Sequence, residues 1–303
     1  MKILIVGGTG LIGGHCAIHL QSLGHEVTVA ARKPPAAATP MASMHNVQFD
    51  YAGDDLPQDL LAAFDAVVFA AGNDIRHIAP GEDPARRDYW DRVNSEAIPR
   101  FARRARRAGV ARFIYVGSFY PQVAPQLVEE NAYVRSRHLA DTGVRELSTD
   151  TFLSCSINAP FVVGTLPGLQ SPLFEAFTAY AQGHMNDLPV FAPAGGSNFM
   201  SSRSLAEAVA GALAHGEPAT AYLVGDENLS FAEYLGLFFA AAGNAQTVPA
   251  RDEEHALLPD IAILTGRGSV VSYQPEPAQT RRLGYRRSDV QAAVRDVVQQ
   301  FRR

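Results

Sequence analysis

Lysine, cysteine and tryptophan are scarce in this chain, and each scarcity excludes something. Lysine occurs only at Lys2 and Lys33, so arginine carries nearly all the positive charge. Two cysteines, Cys16 and Cys155, are too few for a disulfide framework; one falls in a helical pattern and the other in an apolar strand pattern, which predicts buried thiols. A net charge of −5 lacks the basic footprint of a nucleic-acid binder. No apolar run reaches the roughly 18 residues a membrane helix needs. Of the nine histidines only His15 and His19 stand in HxxxH spacing, with no acid or Cys/His partner spaced to complete a metal set, so no zinc site is expected. A strand pattern beginning at Lys2 leaves no room for a leader peptide, and a cytoplasmic location is the expectation. The remainder, 303 residues of which 47% are hydrophobic and 19% charged, suits a soluble globular chain of one or two domains.

The most informative stretch is Gly7-Gly8-Thr9-Gly10-Leu11-Ile12-Gly13. It follows the apolar run Ile3-Leu4-Ile5-Val6 and precedes a helical pattern, Leu11 to Leu23, that stops at Gly24. In a strand–glycine turn–helix unit the first glycine permits a tight bend, the second lets backbone approach a phosphate, and the third lets helix and strand pack closely. Exposed N–H groups and the helix dipole then favour a pyrophosphate. Gly7, Thr9, Gly10, Leu11, Ile12 and Gly13 are therefore candidate dinucleotide contacts.

Strand patterns recur at Lys2–Val6, His25–Ala30, Val47–Asp50, Ala66–Ala71, Arg112–Gly117 and Thr151–Ile157, with helical patterns between most of them. That order predicts an α/β fold, a doubly wound parallel sheet. Pro84 to Ala108 reads as one long helical region stopped by Gly109; its arginines 100, 103, 104, 106 and 107 read as a solvated face. Pro34 to Met44 reads as a mobile loop, Leu173–Gln182 as a helix, Ala221–Val224 as a short strand and Ser288–Phe301 as a closing amphipathic helix. Capping boxes are predicted at Ser204–Glu207 and Ser230–Glu233. Residues 1–160 form the expected dinucleotide-binding domain, with segments about 200–225 returning to it, and 161–303 supply mainly the substrate region.

In dinucleotide folds an acid at the end of the second strand binds the ribose 2′-hydroxyl and selects NAD. Here that strand ends Val29-Ala30-Ala31-Arg32-Lys33, without a carboxylate. Arg32 can clamp a 2′-phosphate and Lys33 can add a point charge, so NADP is expected over NAD.

Beyond these readings, most of the chain resembles the short-chain dehydrogenase/reductase superfamily in its extended or atypical branch, related to NAD-dependent epimerases/dehydratases and dihydroflavonol-reductase-like proteins. The residues that carry it are Gly7 to Gly13, Gly53-Asp54, Phe69-Ala70-Ala71-Gly72, Val93-Asn94, Phe113 to Ser118, Tyr133-Val134-Arg135-Ser136-Arg137, Ala159 to Gly164 and Pro193 to Asn198. The resemblance implies that Asp54 meets the adenine, Ala70, Ala71 and Gly72 line the cofactor, and Pro160 to Val163 lie near the nicotinamide. It also implies that Gly164 to Ser202 shape the substrate pocket, and that a homodimer forms. Relatives pair a tyrosine with a lysine four residues on; here the pair is Tyr133 and Arg137. Carbonyl reduction needs a hydride from the cofactor and a proton, and a cation on the same helix face lowers the pKa of the phenol that gives the proton. Ser118 supplies a hydroxyl to hold the carbonyl oxygen. Arginine keeps the charge but cannot release a proton. The leading expectation is an NADP-dependent oxidoreductase acting on a carbonyl/alcohol pair of a small molecule. The alternatives are a nucleotide-sugar epimerase/dehydratase and a non-catalytic NADP-binding protein.

Other residues carry weaker expectations. Asn158, where related sequences often have arginine, reads as holding a backbone turn at the sheet edge. His15 reads as packed, Trp90 as a packing residue, and Asp74 and His77 as possible borders of the substrate.

Overall fold

The computed structural model describes residues 1–73 and 86–302; Asp74, His77 and Pro84 lie outside the described residues. The strands are β1 (Lys2–Val6), β2 (Glu26–Ala31), β3 (His45–Gln48), β4 (Ala66–Phe69), β5 (Arg112–Ser118), β6 (Leu153–Ala159), β7 (Phe161–Val163), β8 (Ala192–Pro193), β9 (Gly196–Ser201), β10 (Ala221–Leu223), β11 (Glu227–Ser230) and β12 (Ala250–Arg251). The helices are α1 (Leu11–Ser22), α2 (Gln58–Leu61), α3 (Arg87–Trp90), α4 (Ala97–Arg107), α5 (Tyr120–Val123), α6 (Leu127–Glu130), α7 (Ala132–Arg145), α8 (Pro172–Ala181), α9 (Ser202–His215), α10 (Phe231–Ala242), α11 (Pro277–Leu283) and α12 (Val290–Phe301).

A seven-stranded parallel sheet runs β10-β6-β5-β4-β1-β2-β3. Ile3 and Ile5 of the central strand face a core shared with α1 and α9, and Leu4 and Val6 face a core shared with α4 and α7. A strand buried on both faces must be apolar throughout, which is why Ile3 to Val6 show no alternation. The chain moves outward through β2 and β3 and then returns to β4 beside β1. That reversal opens a crevice at the carboxyl ends of β1 and β4, where ligands of such sheets bind. α9 packs on α1, and β10 adds to the edge of the sheet beside β6. A second sheet, β11-β9-β7, supports an aromatic core with α8, α10 and α12.

Several boundaries and caps differ from those predicted. β3 covers His45–Gln48 rather than Val47–Asp50, because Asp50 instead closes a turn through Ala52 and Asp54. β4 stops at Phe69 rather than Ala71, since Ala70 and Ala71 leave the sheet to lie against Gly7. β6 extends to Ala159, which pairs with Ser118. The long helical region is interrupted: a wide π turn, Asp91–Glu96, separates α3 from α4. Pro99 has no N–H to offer the Ser95 carbonyl, so the regular ladder fails there. Three arginines of α4 are not merely solvated. Arg100 donates to the Tyr51 and Ala52 carbonyls, Arg104 to that of Leu56, and Arg106 to that of Leu147. The segment 34–44 is not an open loop either: it holds a 3-10 turn, Pro40–Ser43, whose Met41 is fully buried against Gly14. The Ser230–Glu233 box caps α10 as expected. The other does not form. Ser201, leaving β9 in extended conformation, caps α9 by accepting the Ser204 N–H, and Glu207 pairs with Arg286.

Ser201 also donates to Asp289, which Arg203 grips at 3.1 Å, so the start of α9 is locked to the start of α12. Burial alone would raise the Asp289 pKa, but the donors Arg203 and Ser201 outweigh it and hold the carboxyl below its usual range. A carboxyl depressed in the fold contributes stability above its unfolded pKa and loses it as pH falls through the folded one. The contribution of Asp289 should therefore be constant above pH about 4 and lost below it, so that the native chain loses about 1 kcal/mol more than Asp289→Asn when urea midpoints are followed below that pH.

Candidate active site

Gly7 and Gly13 of the amino-terminal turn each have a visible cause. Gly7 takes φ +84°, a left-handed conformation, and its N–H donates to the Ala30 carbonyl at 2.7 Å. A Cβ on Gly13 would lie 2.2 Å from the Gly7 carbonyl oxygen, so only glycine lets α1 begin directly over the turn. A Cβ on Gly10 would meet only that same oxygen, at 3.6 Å, which leaves its outer side open. Thr9, Leu11 and Ile12 are partly exposed around it. α1 has no side-chain cap and no acid in its first turn. Its first N–H groups are therefore available to an anion and meet no competing carboxylate. This cradle lies at the mouth of β1, and its residues fit the diphosphate of a dinucleotide.

The other expected cofactor contacts surround the same crevice. Ala70, Ala71 and Gly72 follow β4 directly, against Gly7. Arg32 and Lys33 follow β2 and are exposed, with the Arg32 carbonyl held by Gln48 at 3.0 Å. Asp54 turns its carboxylate back onto the Asp50 N–H at 2.8 Å. Pro160 joins β6 to β7, and Val163, at the end of β7, is fully buried.

Ser118 ends β5, half-buried. The cap on α7 is Asn131, whose side chain accepts the Val134 N–H and so fixes Tyr133 in the first helical turn. Tyr133 is buried, edge-on to Trp90 with centroids 5.1 Å apart. Arg137, one turn on, donates from Nη2 to the Val116 carbonyl at 3.0 Å. Its Cζ lies 6.0 Å from the Tyr133 ring centroid and 5.6 Å from that of Tyr115. A Cβ added to Gly72 would stand 3.1 Å from Nη1. The fold thus gathers Tyr133, Arg137 and Gly72 against the strand that ends in Ser118, while Phe119 shares one apolar cluster with Tyr133 and Trp90.

Sequence reasoning missed part of the supporting shell. Asn73 donates to the Tyr51 hydroxyl at 3.0 Å and accepts from that of Tyr89. Asn94, in the π turn, donates to the Asn73 carbonyl and to Ser136 Oγ, both at 3.1 Å. Ser136 in turn donates to the Tyr133 carbonyl at 2.7 Å. Asn94 and Ser136 were visible as members of quoted motifs, but nothing in the spacing joins them. Asn158 does not sit at a sheet edge. It lies inside the sheet, 2% exposed, donates to Gln122, and presses Oδ1 against Gly117. His15 is packed as expected, hydrogen-bonded to the Thr165 carbonyl, with burial pushing its pKa down.

Comparison with known families gives one match, the NAD dependent epimerase/dehydratase family, over residues 3–225. This chain belongs to that family. It is thus an enzyme of nicotinamide-dinucleotide type, and the resemblance to the extended short-chain dehydrogenases/reductases holds. The alternative of a non-catalytic binder is set aside. Among solved structures, UDP-glucose-4-epimerase from Stenotrophomonas maltophila, with bound NAD and formylated UDP-arabinopyranose, is 18% identical with a TM-score of 0.76 over 100% of this chain and 98% of that one. UDP-N-acetylglucosamine 4-epimerase from Bacillus cereus is 15% identical, TM-score 0.74, over 100% of both chains. The protein gox2253 is 19% identical, TM-score 0.77, over 99% of this chain and 98% of that one. At these identities the likeness shows a shared fold. No curated protein matches the family member described here. Among its described residues, no helix is long and apolar enough to cross a membrane.

Proposed function

We propose that this member of the epimerase/dehydratase family is an NADP-dependent oxidoreductase that interconverts a carbonyl and an alcohol on a small organic substrate. The observation that carries the reading is the fixed pair Tyr133–Arg137 beside an open phosphate cradle. The cradle residues Gly7 to Gly13 would hold the diphosphate, and Ala70 to Gly72 the adjoining ribose. When bound, the nicotinamide supplies or accepts the hydride. Ser118 donates a hydrogen bond to the carbonyl oxygen, and Tyr133 gives that oxygen its proton. A phenol's unperturbed pKa is about 10, so loss of its proton needs a nearby positive charge. Arg137, held in place by the Val116 carbonyl, provides one. Because a guanidinium keeps its proton, Arg137 acts as a fixed charge and ribose donor; the phenol regains its proton by another route.

The reading is tested by following NADPH absorbance with a panel of aldehydes and ketones. Consumption with at least one of them is expected. Silence across the panel, together with interconversion of UDP-sugars, would overturn it. That second reading, a nucleotide-sugar epimerase, is favoured by two of the three solved structures described above, which are so named; it requires NAD(P) to remain bound through purification.

The basic pair after β2 supports NADP, since both side chains are exposed and the strand itself ends without a carboxylate. Replacing Arg32 with alanine should weaken NADPH binding about 10- to 100-fold and leave NADH nearly unchanged. Calorimetric dissociation constants for both nucleotides check this; equal losses would remove the assignment to Arg32.

A further inference from the structure

We infer that Tyr115 is a positioning residue which, together with Tyr133, clamps the Arg137 guanidinium, so that this site is built for arginine rather than tolerating it. The inference rests on the reading of Tyr133 as the proton donor. Arg137 Cζ lies over both rings, 5.6 Å from the centroid of Tyr115 and 6.0 Å from that of Tyr133. Its surroundings come from β5 and from the segment after β4. Tyr115 is fully buried in β5, with its backbone paired to Phe69 on one side and to Ser156 on the other, so the base of its side chain is fixed within the sheet. The carbonyl that accepts from Nη2 belongs to Val116, the next residue along the same strand. Gly72 contributes by what it omits: a side chain there would begin 3.1 Å from Nη1.

A planar guanidinium suits this slot. It can face an aromatic ring and still aim a donor at a carbonyl in its own plane, whereas an ammonium is a compact, strongly hydrated charge on a flexible stem. Burial pushes the Tyr115 hydroxyl up to about 12, so it remains neutral and does not cancel the charge it holds. Among the described residues, the other titratable groups around the clamp are Tyr133 and Asp141 from α7 and Tyr51 from the segment after β3. Asp141 is taken up by Arg145. The clamp therefore keeps the positive charge beside the phenol of Tyr133.

The test compares Tyr115→Leu, Tyr115→Phe and Arg137→Lys with the native chain. The Arg137 Nε–Hε resonance, assigned by its loss in Arg137→Lys, should be ring-shifted in the native protein, kept in Tyr115→Phe and moved towards the free-arginine position in Tyr115→Leu. With a reducible carbonyl, Tyr115→Leu should lower kcat about tenfold and raise the KM for NADPH as the ribose donor loosens, and Tyr115→Phe should restore both. Arg137→Lys, despite supplying the residue used by relatives, should also lose about tenfold. If Tyr115→Leu does not fold, Gly72→Ala crowds Nη1 directly and should move the same resonance. An Arg137 resonance indifferent to Tyr115→Leu, or a kcat raised by Arg137→Lys, would overturn the clamp. If the native protein turns over no carbonyl, the reading of Tyr133 fails while the resonance still decides the clamp.

Discussion

Replacing Tyr133 with phenylalanine should abolish carbonyl reduction, lowering kcat by about 10²- to 10⁴-fold, the usual range for a lost general acid. The variant deletes one oxygen. Its ring still packs on Trp90 in the same apolar cluster, so the fold should be unchanged. NADPH binding should move by no more than about twofold, because the cradle and the basic pair are untouched. Steady-state kinetics and calorimetry together separate the outcomes. A large fall in kcat with intact binding places the phenol at the reacting atoms. A variant that reduces carbonyls as well as the native chain would remove Tyr133 from the chemistry and leave Arg137 without the partner that gives its charge a purpose.

The second large effect concerns the turn. In Gly13→Ala the new methyl would start 2.2 Å from the Gly7 carbonyl oxygen, which is backbone and cannot swing aside. Either α1 lifts from the turn or Gly7 gives up its geometry. The cost to stability should be about 1–3 kcal/mol, as for other overpacked sites. Affinity for NADPH should fall by about 100-fold or more, since every donor in the cradle depends on that register. Gly236→Ala is the matched control. It lies inside α10, and a Cβ there meets nothing within 4 Å. That change should stabilise slightly, by up to about 1 kcal/mol, and leave binding alone. Equal effects of the two substitutions on NADPH affinity would contradict the role given to the turn.

The parts of this molecule that could be read from the sequence are those set by local chemistry. Gly7, Gly10 and Gly13 could be assigned distinct duties because a left-handed φ, an open approach and a close packing each demand glycine for its own reason. The apolar run of β1 likewise announces a strand buried on both faces. Features set by tertiary partners were hidden. Ser204 and Ser201 could each accept the N–H of the residue three places on, and only the extended end of β9, with Asp289 beside it, decides for Ser201. The π turn at Asn94 depends on Pro99 and on a carbonyl at Asn73, well before it in the chain. Tyr115 reads as ordinary core in an apolar strand; its relation to Arg137 exists only once α7 lies across β5. Arg137 itself was legible as a departure from the lysine of relatives, but not the slot that accommodates it.

The central claim is that the amino-terminal turn grips a dinucleotide whose reactive ring then rests beside Tyr133. A structure of the protein with NADPH bound tests it most directly. The account predicts the diphosphate on the N–H groups of Gly10 to Ile12, the 2′-phosphate near Arg32 and Lys33, and the nicotinamide within reach of the Tyr133 hydroxyl. A nucleotide seated elsewhere, or none bound at millimolar concentration, would contradict it.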